Sequence, residues 1–569
     1  MKNALKRSEA WLKAPYDAET QAETQKLIDI GGDALMDAFY QDLDFGTGGL
    51  RGIMGVGTNR INKYTLGAAT QGLANYLKKQ FPSEPIKVAI AYDSRHNSKS
   101  FARQVSEVFS ANDIKVYLYE DLRPTPALSF AIRHLGCQSG IVLTASHNPP
   151  AYNGYKVYWD DGGQLVPPHD KGVINEVRAV QASEVKYDFQ EDLIEVIGDA
   201  VDQAYLAEVK KLSLTFEGKK DLSVVFTSIH GTSITLVPPA MKNAGFEKLS
   251  IVEEQAKPDG DFPTVVSPNP EESEALSMAL AQAERENADM VIGTDPDADR
   301  VGIAVRNLEG ELELLNGNQA ASVLIYYLLS QWQKADKFTG KEYVAKTIVT
   351  TDLISKIAEG FKVACPECLT GFKWIADIIR KHEGEYTFIG GGEESYGYMI
   401  GEFVRDKDAV ASAMMLAEAA AYAKSQGSSF YESLVEIYVK FGFYLETLVS
   451  LKRDGIKGQA EIAQMMEDFR HKTPESIAGE RIVKVLDYQS SESKEMATGK
   501  LSPIDLPKSN VVQFVTDRGT KITARPSGTE PKIKFYVSVN DQLASADAFK
   551  AKKAELEARL ASITKELGL

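Results

Sequence analysis

Cysteine is nearly absent. Three residues in 569 (Cys137, Cys365 and Cys368) cannot staple a chain of this size, which excludes a disulfide scaffold and makes a reducing cytoplasm the expected setting. Cys365-Pro-Glu-Cys368 has no second pair and no nearby His, so it cannot fill a tetrahedral zinc site, and no surrounding chemistry supports a redox role. No run of 18 apolar residues occurs, so no transmembrane helix is expected. The opening MKNALKRSEAWLKAPYDAET lacks a continuous apolar segment and a small-residue cleavage site and reads as an amphipathic helix. Basic charge is in deficit: 64 Lys and Arg against 80 Asp and Glu give a net charge of −16. Such a field repels phosphate backbones and anionic bilayers, which argues against a general nucleic-acid or membrane binder. A small anionic substrate stays open, provided that specific Arg and Lys side chains hold it. No Walker A pattern is present, and Phe45-Gly-Thr-Gly-Gly-Leu-Arg51 lacks the GxGxxG spacing of a dinucleotide site. Low-complexity tracts and long Gly/Ser or Pro-rich linkers are also missing.

What remains is an ordinary globular composition, 43% hydrophobic and 25% charged, long enough for three to five domains or one elaborate α/β assembly. Four short β-rich runs each pass at once into a polar loop. Ile141–Thr144 leads into Ala145-Ser-His-Asn-Pro149, and Met290–Thr294 into Asp295-Pro-Asp-Ala-Asp-Arg300. Tyr386–Ile389 leads into Gly390-Gly-Gly-Glu-Glu-Ser-Tyr-Gly397, and Lys521–Ala524 into Arg525-Pro-Ser-Gly-Thr-Glu-Pro531. Helical patterns at 271–287 and 409–424 make βαβ units the natural reading, with ligands beyond the carboxyl ends of the strands. A further strand, Val88–Tyr92, ends in Asp93-Ser-Arg-His. Beyond 441 the pattern changes to strand (441–451), helix (459–471), strand (533–539) and helix (544–567), an α+β domain carrying the fourth loop.

Asp295, Asp297 and Asp299 alternate along a turn and can aim three hard oxygens at one cation. The EF-hand template fails, because Arg300 and Arg306 stand where it needs Gly and Glu. Three carboxylates leave an octahedral Mg²⁺ room for water or phosphate oxygens; the competing reading is a solvated acidic turn. Ser146 follows a strand with His147 beside it. Adjacent side chains on an extended chain point apart, so His147 need not be its base, and GxSxG is not met. Lys156 returns toward the same loop, and a lysine whose pKa is lowered by burial can move a proton at a sugar hydroxyl. Arg525, Ser527, Gly528 and Thr529 combine a bidentate cation, two hydroxyls and an open backbone, which is what cradling a phosphate dianion requires. Glu393 and Ser395 suit sugar hydroxyls, though a Gly-rich turn would look the same.

Together, and in this order, Thr144-Ala-Ser-His-Asn-Pro149, Asp295-Pro-Asp-Ala-Asp-Arg300, Gly392-Glu-Glu-Ser-Tyr-Gly397 and Arg525-Pro-Ser-Gly-Thr-Glu530 resemble the α-D-phosphohexomutase family over nearly the whole chain. The resemblance implies an α/β fold of four domains around a central cleft, three similar α/β units (1–205, 206–320, 321–440) and a smaller α+β domain (441–569). It implies that Ser146 carries a phosphoryl group and, with Asp295, Asp297 and Asp299, holds Mg²⁺. Arg51, His147, Lys156 and Arg300 match residues around the transferring phosphate, Lys156 as the general acid/base. Thr370, Gly371, Lys373 and Lys407 match contacts supporting Glu393 and Ser395, and Arg525, Ser527, Gly528, Thr529 and Lys532 match the site of the non-reacting phosphate. The implied reaction interconverts hexose 1- and 6-phosphates through a 1,6-bisphosphate, in a monomer or homodimer. Glu-Glu-Ser-Tyr in the third loop favours glucose over mannose. Phe45–Arg51 also resembles a branch with pentose-phosphate mutases and a glucose 1,6-bisphosphate synthase. A phosphoserine-type phosphatase is the rival reading.

Overall fold

The apolar run expected at 88–92 is the strand β2 (Lys87–Tyr92), buried along almost its whole length. It sits inside a six-stranded sheet with β1 (Gly49–Ile53), β3 (Lys115–Tyr119), β4 (Ser139–Leu143), β5 (Tyr152–Trp159) and β6 (Ile194–Ile197), ordered β1-β5-β4-β2-β3-β6. β2 runs parallel to β3 and β4, and β3 to β6. Buried parallel strands need helices on their faces. The helices Lys63–Gln80 and Ser98–Ser110 supply them, placing Leu66, Leu73, Leu77, Val105 and Phe109 against Val88, Ile90, Val116 and Ile141. The first of these helices starts where it does because Asn62 caps it, accepting the N–H groups of Tyr64 and Thr65.

The computed structural model describes residues 2–46, 48–453, 455–527 and 532–568, without the side chains of 455–457. Internal packing divides the chain into two units: Met1–Asn316 with Phe372–Phe388 and Ser395–Gly427, and Gly317–Gly371 with Ile389–Glu394 and Ser428–Leu569.

The first unit holds a second sheet, ordered β11-β10-β9-β7-β8, from β7 (Ser223–Thr227), β8 (Lys248–Ile251), β9 (Met290–Thr294), β10 (Val301–Arg306) and β11 (Leu312–Leu314). Here the βαβ expectation needs correcting at two places. β4 passes directly into antiparallel β5, and β9 into antiparallel β10. The Ser146 and Asp295 loops are therefore hairpin connections, not strand-to-helix turns; a short apolar run does not disclose the direction of its neighbour. The helix expected from 271 begins only at Ser277, because Glu271 and Glu274 are drawn into side-chain contacts with Arg300 and the Val266 N–H. The N-terminal amphipathic helix is Lys2–Glu9, which buries Ala4 beside Trp11, Leu35, Phe39 and Tyr64.

In the second unit β12 (Glu342–Thr347) lies parallel to β13 (Glu367–Cys368) and beside β14 (Thr387–Gly392). An antiparallel sheet follows, ordered Phe443–Lys452, Lys532–Asp541, Lys521–Pro526, Val512–Thr516, Glu480–Asp487, Glu492–Glu495 and Leu501–Pro503. The helix Gly455–His471 brings Phe469 against Phe514 and Phe535, and Phe549–Glu566 is the last helix described. This is the α+β C-terminal arrangement expected from the sequence. All three cysteines are free. Among the described residues, no helix is long and apolar enough to cross a membrane.

Candidate active site

Because β4 and β2 are parallel neighbours, their carboxyl ends lie level, and the loop after β4 carries Ser146 at that edge. Gly154 of β5 lets the returning strand press onto this loop, since a Cβ there would stand 2.4 Å from the Thr144 carbonyl oxygen. Ser146 is 6% exposed and has φ of 50°, a left-handed conformation unusual for serine. Its N–H is tied to Thr144 Oγ1 at 2.8 Å. Its hydroxyl donates to Asp295 Oδ2 at 2.8 Å and lies 3.2 Å from His147 Nδ1.

The acidic turn of the β9–β10 hairpin is buried rather than solvated: Asp295 and Asp297 are fully enclosed and Asp299 is 2% exposed. Asp295 Oδ1 shapes the turn by accepting the N–H groups of Asp299 and Arg300 at 3.1 and 3.0 Å. One ligand oxygen from each of the three carboxylates lies within 4.8 Å of the others. Asp297 Oδ1 and Asp299 Oδ1 are buried without a hydrogen bond. Unpaired buried oxygens on clustered carboxylates are costly unless a cation shares them. The donor set, all hard oxygens, fits Mg²⁺. Burial and the neighbouring charges of Asp297 and Asp299 push the Asp295 carboxyl well up.

Lys156, on β5, donates to Asp297 Oδ2 at 2.7 Å and to Asp299 Oδ2 at 3.2 Å. Burial alone would lower its pKa, but Asp297 and Asp299 outweigh it, so the ammonium is stabilised. That is opposite to the lowered lysine expected from the sequence. Lys407 stands 3.1 Å from Asp299 Oδ2 and 3.0 Å from Asp406 Oδ1. Burial opposes ionisation of Asp299, yet Lys156, Lys407 and Arg300 hold it below the usual carboxylate range. Burial, together with Arg300 and Arg51, keeps the His147 imidazole neutral. Arg51, in β1, donates to Asn148 Oδ1 at 3.0 Å, and Arg300 pairs with Glu271. Ser395 and Lys373 belong to the same unit.

In the second unit, Glu393 Oε1 accepts the Gly371 N–H at 2.8 Å, and the neighbouring Thr370 keeps a buried hydroxyl with no partner. Burial and the charge of Glu393 push the Glu394 carboxyl up to about 7. Burial pushes the Tyr536 hydroxyl up while the nearby Arg525 charge draws it down, and Ser527 and Lys532 flank the loop. Gly528 and Thr529 lie outside the described residues.

Sequence reasoning missed two groups. Arg95 gathers the carbonyls of the serine loop. Thr125 donates to Asp297 Oδ2 at 3.1 Å and gives its N–H to the Asp297 carbonyl at 2.8 Å. The only sequence signal for either was position, just past the carboxyl end of a strand.

Residues 42–184, 203–310 and 316–438 match domains I, II and III of the phosphoglucomutase/phosphomannomutase family, each described as alpha/beta/alpha. A phosphoglucomutase of Staphylococcus aureus (strain MRSA252) is 38% identical over 93% of this chain and 95% of its own. One of Staphylococcus epidermidis (strain RP62A) is 37% identical over 90% and 96%. Among solved structures, the open form of pp63/parafusin, a phosphoglucomutase from Paramecium, superposes with a TM-score of 0.66 at 18% identity, covering 92% of this chain and 96% of that one.

Proposed function

Since the chain belongs to the phosphoglucomutase/phosphomannomutase family, we propose that it is a phosphoglucomutase, an isomerase interconverting glucose 1-phosphate and glucose 6-phosphate through a phosphoserine at Ser146. The observation that carries this reading is the 2.8 Å contact between Ser146 Oγ and the buried acidic turn.

In the forward half, a hydroxyl of the sugar phosphate attacks phosphorus on Ser146. The sugar O–P bond forms, the Ser146 O–P bond breaks, the proton of the attacking hydroxyl ends on Ser146 Oγ, and glucose 1,6-bisphosphate results. In the return half the other phosphate passes back to Ser146, whose hydroxyl proton must leave. Neutral His147 offers Nδ1 as acceptor 3.2 Å away. Lys156, held as an ammonium, supplies positive charge and a proton donor beside the transferring group. Arg51 reaches the serine loop at Asn148 and Arg300 stands 3.8 Å from Asp299 Oδ1, and both balance the anionic field of the turn. Asp295, Asp297 and Asp299 would hold Mg²⁺ together with the phosphoserine; when bound, the ion neutralises charge on the phosphoryl oxygens. Thr370, Gly371, Glu393, Ser395 and Lys407 are assigned to the sugar hydroxyls, and Arg525, Ser527, Gly528, Thr529 and Lys532 to the phosphate that does not react. The four-domain division (1–205, 206–320, 321–440, 441–569) and a cytoplasmic setting belong to the same reading.

The test is turnover of glucose, mannose, ribose and deoxyribose 1-phosphates by one preparation with Mg²⁺ and a trace of the bisphosphate. Fastest isomer formation from the glucose ester supports the assignment. Release of inorganic phosphate in excess of isomer would replace it with a phosphatase.

A further inference from the structure

We propose that Arg95 is the positioning residue of the phosphoryl carrier: it holds the Ser146 loop in the shape that aims Oγ at the acidic turn. The proposal rests on the mutase reading above.

Arg95 lies just beyond β2, in Asp93-Ser-Arg-His96, and is 3% exposed. Its Nη2 donates to the carbonyl of Ser146 at 2.6 Å and to that of Asn148. Its Nη1 donates to the carbonyls of Pro149 and Tyr152 at 2.8 and 3.1 Å. Four main-chain acceptors of one hairpin loop therefore converge on a single guanidinium. The Pro149 carbonyl also accepts the Tyr152 N–H at 3.0 Å, whereas those of Ser146 and Asn148 lie outside the strand ladder, and buried carbonyls without partners are rare. A planar fork with five donors fits this task; a lysine, with three donors on one nitrogen, cannot reach all four.

The guanidinium is itself fixed. Asp93 Oδ2 stands 3.3 Å from Nε, and Asp93 Oδ1 accepts the Arg95 N–H at 2.9 Å and the Ser98 hydroxyl at 2.7 Å. The ring of Phe262, 1% exposed, lies 5.0 Å from the guanidinium carbon. Next to it, Asp261 meets His96 Nε2 at 2.7 Å. Arg95 thus ties the serine loop to the segment around 259–262, across the boundary between the first two family domains. Within the loop, Ser146 holds a left-handed φ of 50°, a strained conformation that persists only where its surroundings fix it. No hydrogen bond or ion pair joins the guanidinium to Ser146 Oγ or to the three aspartate side chains, although the charges of Asp297 and Asp295 reach it; its part is to place the nucleophile, not to react.

The experiment compares Arg95→Ala and Arg95→Lys with wild type in steady-state turnover of glucose 1-phosphate. Phosphate uptake by Ser146 from glucose 1,6-bisphosphate is followed in parallel by intact mass. For Arg95→Ala, kcat is expected to fall about 100-fold, the scale of a displaced reacting atom. KM should stay within about threefold, because substrate contacts are untouched. Ser146 phosphorylation should slow in parallel, Arg95→Lys should retain more activity than Arg95→Ala, and added guanidinium ion should partly restore the alanine variant. A kcat close to wild type, a loss carried by KM alone, or failure of both variants to fold would overturn the proposal, the last by making Arg95 a stability element. If wild type takes up phosphate on Ser146 but forms no isomer, the mutase reading fails, while the uptake rates still decide the role of Arg95.

Discussion

Ser146 Oγ and Asp295 Oδ2 are 149 positions apart in sequence and 2.8 Å apart in space. Each sits in the turn of an antiparallel hairpin, one from each sheet of the first unit. Hairpin turns place a side chain more rigidly than a long strand-to-helix loop, because both flanking strands are paired. Removing the hydroxyl leaves that frame intact. Ser146→Ala is expected to lower turnover by about four orders of magnitude or more, while stability changes by about 1 kcal/mol, the scale of one hydrogen bond. Kinetics and thermal unfolding on one preparation check both.

The oxygens of Asp297 and Asp299 that no hydrogen bond satisfies predict strict dependence on a divalent ion. Chelation should abolish turnover, and Mg²⁺ should restore it. In calorimetry, Asp299→Asn should bind Mg²⁺ or Mn²⁺ at least about tenfold more weakly, since a neutral amide replaces a charged hard ligand. Unchanged ion affinity would remove the turn from the metal site.

Asp408 predicts a pH signature in stability. It is fully buried at the start of the helix Ala409–Ser425, accepting the Ala411 N–H and the Tyr205 hydroxyl. Burial pushes its carboxyl up to about 6, against about 3.9 in an unfolded chain. Between these values the folded state binds more protons than the unfolded one, so this group's contribution declines as pH rises from about 4 to about 6 and is flat above. Asp408→Asn keeps acceptors for both partners but cannot ionise. Across that window wild type should lose up to about 3 kcal/mol relative to the variant in denaturant titrations. A difference that does not vary with pH would contradict the assignment.

Arg525 predicts a binding effect. If it grips the phosphate that does not react, Arg525→Ala should weaken apparent affinity for sugar phosphates about 10- to 100-fold, the loss of one or two charge-assisted hydrogen bonds. Inhibition by inorganic phosphate should weaken with it.

Much of this was legible because short polar side chains in fixed patterns declare chemistry locally. The Asp-x-Asp-x-Asp run and Ser146 after an apolar run stood out, and the order of the four loops carried the family. Strand direction was not legible, since Val301–Arg306 and Tyr152–Trp159 look alike whether they pair parallel or antiparallel. Arg95 and Thr125 were missed because their acceptors are main-chain carbonyls and a carboxylate 172 positions away, and carbonyls leave no mark in sequence. The direction of the Lys156 shift needed coordinates too, because it depends on which carboxylates the lysine meets.

The most direct measurement follows the phosphoryl group itself. Protein incubated with glucose 1,6-bisphosphate labelled on phosphorus, then freed of ligand and digested, should carry the label on the peptide containing Ser146. Added unlabelled glucose 1-phosphate should then remove it as glucose bisphosphate and glucose 6-phosphate. Label on any other residue, or its departure as inorganic phosphate, would contradict the account.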